Sequence, residues 1–397
     1  TSLQDMSRVW MRRSQQDHKN VLDHTILCVV SPAIEGHTET GQPFGAMSGI
    51  TYKQMPKLLK SQYTLPYPVM ELEDYDLRYL VMMRLALETQ VSLIVAPNPS
   101  TWLRMAKTSV EFGENLIRGI RDGNLGLEGI FDLSKLNEDD KKRVEAIEAQ
   151  LSNNPSRASE LDAAAASAGK LYPKDAWPHL SLIGCWLGGS AGIQAKLLAE
   201  YYGDVPLRDL GFRASEAAMT IPIANNTAAG VLATHGNYYE FIPEAEIEEE
   251  NPTVLEAHEL EVGQNYYILL TTSSGLYRYD INDVITVESF YRRAPIIAFV
   301  RKGRDMVNLT GEKLHVNQVI EAMDISERDS SIQTTQYRII PNLEEMRYDL
   351  LIELGSGSES SYDLETFLTK FDFNLADLNN EYYQKRVSRR LMIPKLC

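Results

Sequence analysis

The sequence has little of what marks several large protein classes. Its three cysteines, Cys28, Cys185 and Cys397, lie far apart, with no CxxC pair and no histidine at ligand spacing. Neither a disulfide framework nor a structural zinc site is indicated, and a reducing cytoplasm is the simplest setting. No apolar run approaches the roughly 20 residues that a membrane-spanning helix needs. The N-terminal segment lacks the order of basic region, apolar core and cleavage site that marks a secretory leader. Positive charge is also short: 39 Lys and Arg stand against 55 Asp and Glu, a net charge of −16. A chain that holds nucleic acid through its overall field is therefore not expected. No GxSxG nucleophile signature occurs, and GCWLGGSAG lacks both the lysine and the glycine spacing of a GxxxxGK[ST] phosphate loop. A serine hydrolase is disfavoured accordingly.

What is present is the composition of a folded enzyme, 44% hydrophobic and 24% charged over 397 residues. That length exceeds what one hydrophobic core usually serves, so a large and a small domain are expected. Thr1 opens directly into an amphipathic helix running to about Asn20. His24–Ser31 and Val91–Ala96 read as buried strands, and Tyr75–Glu88 has helical spacing. After Pro97-Asn98-Pro99, Ser100 is the expected cap of the next helix. Strand, turn and helix alternate, which favours an α/β core with mostly parallel strands. The charged, alanine-rich stretch from Leu136 to Ala168 reads as a solvated helical hairpin. Tyr266–Thr272 is a strand turning at Ser273-Ser274-Gly275 into a partner, LYRYDINDVITVESF, and Glu244–Glu250 reads as an exposed loop. A domain boundary is expected at Arg301–Asp305 (RKGRD), followed by strands in YRII and YDLLIEL, a Ser/Gly linker at 355–361, and a helix from about Leu364.

Three segments offer chemistry. In GFRASE a glycine turn presents Ser215 and Glu216, where a carboxylate suits Mg²⁺ and backbone suits a flat base; a surface glutamate after a turn explains it as well. In GLYRYDINDV, Asp283 stands where an acidic side chain accepts ribose hydroxyls, although Asp280, Asn282 and Asp283 also favour turns. The run VRKGRDMVNLTGEKLHVNQVIEAM suits a hinge with a phosphate-facing cation, Lys313, or an ordinary β-hairpin leading into a helix.

In their order and separation these three segments resemble the motifs of the auxin-responsive Gretchen Hagen family of acyl acid amido synthetases, within the adenylate-forming superfamily. SPAIEGHTETGQPFGAMSG, APNPSTW, CWLGGSAG and YGDVPLRD extend the similarity over nearly the whole chain. The fold implied is α/β, with a large multi-layer adenylate-forming domain (1–300) and a smaller, incomplete C-terminal α+β domain (301–397). By that resemblance Glu216 and Lys313 are catalytic, Glu216 as the Mg²⁺ ligand and Lys313 on the nucleotide phosphate. Phe212, Arg213, Ala214, Ser215, Tyr277, Asp283 and Arg301 form the nucleotide set, with Asp283 on the ribose. Trp10, Arg13, Met219 and His235 line the acyl pocket, with Arg13 on the substrate carboxylate. For Met219 and His235 a packed core role is the plainer reading. Asn282 replaces a glycine of the ribose motif, which a left-handed turn tolerates. The family's phosphate loop would lie ahead of residue 1, and its C-terminal catalytic lysine beyond YYQKRVSRRLMIP.

The activity so implied is ATP- and Mg²⁺-dependent adenylation of a small carboxylic acid, then transfer to an amine, in particular that of an amino acid. The expected protein is a cytoplasmic monomer with no nucleic-acid or membrane partner. An acyl-CoA-forming ligase of the same fold and a non-catalytic nucleotide or small-acid binder are the alternatives.

Overall fold

The computed structural model describes residues 2–304, 306–330, 332, 334–354 and 361–397. Its backbone divides into two compact units. The first comprises Thr1–Trp186, Gln194–Leu210 and Pro222–Thr227; the second comprises Leu187–Ile193, Gly211–Ile221 and Ala228–Cys397.

The first unit is built on a four-stranded, wholly parallel sheet, in the order Thr25–Cys28, Val91–Val95, Leu182–Gly184, Leu207–Arg208. The central strands are apolar on both faces, the signature of a sheet covered on both sides; Leu93, Ile94 and Leu182 are fully buried. Against it the helix Ser2–Asp17 sets Trp10, which packs with Val21, Ile26, Leu93 and Leu182. Helix Tyr75–Leu87 starts at Asp74, whose side chain accepts from Leu77 N, and is buried nearly all round. The following helix, Pro99–Asp122, corrects one expectation. Its cap is Asn98, accepting from Ser100 N at 2.9 Å, and Pro99 fills the first helical position, where a missing N–H costs nothing. The helical hairpin is present as Glu138–Glu148 and Pro155–Ala168, but it is not wholly solvated. Asp140 is buried and accepts from Glu73 N at 2.9 Å, and buried Arg157 donates to Leu87 O and Ala176 O.

The second unit contains the expected hairpin of Tyr266–Thr272 with its partner, and the other strands of its main sheet are antiparallel too, unlike the parallel core expected of the chain as a whole. Its main sheet has seven strands, in the order Leu255–Glu256, Tyr238–Pro243, Asn265–Thr271, Tyr279–Tyr291, Ala294–Lys302, Gly230–Leu232, Thr220–Ile221, and every pairing is antiparallel. For Asn265–Thr271 with Tyr279–Tyr291, and Tyr279–Tyr291 with Ala294–Lys302, a short turn permits only this pairing. One face carries Phe241, Tyr266, Ile268, Leu270, Ile285 and Ile297; Ile242, Tyr267 and Val284 pack on the other.

Beyond it come the hairpin Met306–Val307/Leu314–His315 and the helix Val316–Asp329. The strands Thr334–Asn342 and Arg347–Leu354 then pair antiparallel, and the helices Ser361–Leu378 and Asn380–Val387 follow. This body has its own core, including Met323, Tyr348, Leu350, Phe367, Phe371 and Tyr382. Residue 300, where the sequence suggests a division, lies inside the second unit. Of the expected hinge, Arg301 and Lys302 end a strand, Gly303 and Arg304 form a corner, and Asp305 lies outside the described residues, as do 355–360 of the Ser/Gly linker.

Candidate functional site

Within the second unit the three motif segments bring their charged groups to bear on one buried carboxylate, that of Asp283. The first segment is a tight hairpin. Phe212 N donates to Thr220 Oγ1 at 2.8 Å, Met219 N to Phe212 O at 2.9 Å, and Ala214 N to Ala217 O at 2.9 Å. Phe212 packs 5.5 Å from Phe299, and Met219 is fully buried. These anchors leave Ser215 exposed at the tip and Glu216 half-buried beside it. Arg213 pairs with Ala218 across the hairpin and Ala214 packs on the core.

The second segment is a bulge. Along the pair Asn265–Thr271/Tyr279–Tyr291 the register runs from Tyr267↔Val284 to Leu269↔Asp280, which leaves Ile281–Asp283 to one residue opposite. Asn282 takes φ +56°, the left-handed turn anticipated for it. Its side chain clasps the next corner: Nδ2 donates to Arg304 O at 2.9 Å and Oδ1 accepts from Arg304 N at 3.0 Å. Gly303 must lack a side chain there, because a Cβ would stand 2.3 Å from Tyr267 Cε1 and 2.4 Å from Asn282 Oδ1. The bulge turns Asp283 inward. It is 2% exposed, and its Oδ1 lies 2.5 Å from Lys302 Nζ, a charge-assisted contact. Burial pushes the Asp283 carboxyl up from its usual range; Lys302 and Lys313 oppose this, and Glu216 adds to it.

The third segment presents Lys313 on a braced loop. Gly311 and Lys313 both have positive φ, and Asn308 Oδ1 accepts from Gly311 N at 2.8 Å. Between them Glu312, 1% exposed, accepts from Leu309 N at 2.6 Å, Thr310 N at 2.8 Å, Thr310 Oγ1 at 3.0 Å and the buried Tyr348 hydroxyl. Burial and that carboxylate push the Tyr348 phenol up. The hairpin-then-helix alternative read from the sequence is therefore the local structure, and it holds Lys313 exposed at the turn.

The other expected residues are spread more widely. Tyr277 is 79% exposed, Arg301 pairs with Glu244, and His235 sits exposed in a turn. Met219 is the core residue of its plainer reading, whereas His235 is not. In the first unit, Trp10 is buried, donates from Nε1 to Asp209 O at 2.7 Å and packs over Gly184, where a Cβ would lie 3.1 Å from the indole. Arg13 is exposed, and the carboxylate it meets is that of Asp17: Arg13 Nε and Arg208 Nη2 donate to Asp17 Oδ2 at 3.0 and 2.8 Å. Burial raises the Asp17 carboxyl, but the guanidiniums, Arg208 foremost, outweigh it and hold it below its usual range. Sequence reasoning missed Lys302, Glu312 and Arg208. The glycine beside Lys302 was a signal of close approach; nothing local marked the other two as buried.

Residues 2–207 match the GH3 family N-terminal domain and residues 230–302 the GH3 family central domain. The chain is 23% identical over 231 residues to the indole-3-acetic acid-amido synthetase GH3.3 of Arabidopsis thaliana, a match covering 55% of this chain and 38% of that protein. It is 27% identical over 270 residues to the jasmonoyl–L-amino acid synthetase GH3.5 of Oryza sativa subsp. japonica, covering 63% of this chain and 45% of that one. The matches thus span less than half the length of these curated relatives. The solved structure of the GH3.15 acyl acid amido synthetase superposes with a TM-score of 0.63 at 19% identity, over 97% of this chain and 68% of that chain, which shows that the two share a fold. Motifs, domain matches and fold agree, and the chain belongs to the GH3 family.

Proposed function

We propose that this protein activates a small carboxylic acid with ATP and passes the acyl group to the amine of an amino acid. The observation that carries the proposal is the buried Asp283 carboxylate, under the influence of Lys302, Lys313 and Glu216. A ribose hydroxyl is a donor that suits it. Lys313 would face phosphate oxygens as a mobile point charge. The Glu216 carboxylate, half-exposed and in no ion pair among the described residues, is a hard oxygen donor that fits Mg²⁺, which would supply charge between the phosphates.

In the reaction a carboxylate oxygen attacks the α-phosphorus, pyrophosphate leaves, and the amine then displaces AMP from the acyl carbon. Arg13 would hold the acid's carboxylate, which requires exchange of its bond to Asp17, and the 307–396 body would turn about the Gly303-Arg304 corner between the two steps. The names of the two curated relatives support an aryl or alkyl acid and an amino acid as substrates.

The test is pyrophosphate release by the whole gene product across a panel of aryl and alkyl acids. Acid-dependent release with amide formed only when an amino acid is present supports the proposal. Thioester formed with coenzyme A instead would move the assignment to an acyl-CoA ligase. Nucleotide binding with no release from any acid would make the protein a binder.

A further inference from the structure

We infer that Lys302 is a positioning residue for the nucleotide: its ammonium holds the Asp283 carboxylate charged inside the protein while leaving it lone pairs for a ribose hydroxyl. The inference rests on the reading of Asp283 given above. Asp283 and Lys302 are directly paired across neighbouring strands, so their side chains share a face of the sheet. Both are withdrawn from solvent, with 3% and 13% of their side chains exposed, and Oδ1 to Nζ is 2.5 Å. Nζ also donates to Ile281 O at 3.3 Å, and the two oxygens of the Asp283 carboxylate keep lone pairs for a further donor. The lysine is also fixed from behind, since Gly303 N donates to Asn282 O at 2.7 Å and no side chain fits at Gly303.

The charged groups acting on Asp283 are Lys302, Lys313 and Glu216. Of the two that favour its ionised form, Lys302 is the stronger, and burial opposes it. Without Lys302 the carboxyl takes up a proton at a higher pH. A protonated acid is a weaker acceptor toward the hydroxyl it should receive.

The experiment is calorimetric titration of the full chain with AMP, from about pH 5 to pH 9, for the wild type, Lys302→Met, Lys302→Arg and Asp283→Asn. Thermal melts confirm that each variant is folded. The wild type should bind AMP, losing affinity as pH falls through the Asp283 pKa. Lys302→Met should bind about tenfold more weakly near neutrality, the loss of one charge-assisted contact, and recover as pH rises. Lys302→Arg should restore most of the affinity, and Asp283→Asn should flatten the pH profile. If Lys302→Met keeps the wild-type affinity and profile, or Lys302→Arg is as weak as Lys302→Met at every pH, the inference is overturned and the nucleotide site stands. If the wild type binds no AMP, the site reading fails, and the inference with it. Should Lys302→Met not fold, Lys302→Arg together with the Asp283→Asn profile decides.

Discussion

Replacing Glu312 should unlock the loop that carries Lys313. Its carboxylate is 1% exposed and accepts from two backbone amides, Leu309 N and Thr310 N, and from two hydroxyls, Thr310 Oγ1 and the Tyr348 phenol. In Glu312→Ala the hydroxyls can rotate toward other acceptors, but the amides are fixed in the chain. Two buried donors left unsatisfied cost about 1–3 kcal/mol each. Water entering the space lowers that figure and the lost packing raises it, so about 3 kcal/mol is expected. Glu312→Gln, of the same shape, turns an amide group against two of the four donors and should cost about half as much. Tyr348→Phe removes one donor and should cost about 1 kcal/mol.

A chain of two units need not unfold in one step, so a local assay is required. Hydrogen exchange on peptides spanning 306–354 reads the body directly. A loss of 3 kcal/mol accelerates its exchange about a hundredfold, with exchange in the parallel sheet of the first unit unchanged. If Glu312→Ala exchanged no faster than Glu321→Ala, a change at an exposed position on the neighbouring helix, the bracing role assigned to Glu312 would be wrong.

Three further predictions concern other positions in the chain. Asn98→Ala should destabilise the first unit by about 1 kcal/mol and Ser100→Ala by a few tenths at most, as read by chemical denaturation; the reverse order would restore Ser100 as the cap. At Asn282, Gly keeps the left-handed backbone and loses the clasp on Arg304, whereas Ala loses both. Asn282→Ala should therefore be the less stable of the two by about 1 kcal/mol, and equal stabilities would mean that the backbone turn carries no strain. Asp17 has a depressed folded pKa, so its stabilising pairing is fully present above the unfolded value of about 3.9 and fades as pH falls through the folded one. The stability gap between wild type and Asp17→Asn should be open at neutral pH and close in strong acid; a gap independent of pH would refute the pairing.

Local patterns made much of the fold legible. Val91–Val95 is apolar but for the buried Ser92 because a parallel strand is covered on both faces, and Asn282 announced its own backbone geometry. Of the antiparallel second sheet, the hairpin of Tyr266–Thr272 and its partner was legible and the remaining pairings were not. Its longest strand, Tyr279–Tyr291, is interrupted by a bulge and mixes tyrosine and aspartate on faces that are each partly buried. The candidate site divides in the same way. Glu216, Asp283 and Lys313 are named by their motifs, but the residues that set their state are not. Lys302 and Glu312 sit in a run of charge that reads as solvent-exposed. Their burial depends on Asp283 one strand back and Tyr348 on a later strand, a relation only the folded chain supplies. The same holds for Arg13, whose nearest carboxylate belongs to the protein itself.

The central claim is that a carboxylate oxygen is transferred to the α-phosphorus of ATP. It is tested most directly by incubating the whole gene product with ATP, an amino acid and an acid labelled with ¹⁸O in both carboxylate oxygens, and then weighing the products. The account predicts one ¹⁸O in AMP, one in the amide and none in pyrophosphate. Label appearing in inorganic phosphate beside ADP, or an amide formed with unlabelled AMP, would contradict it.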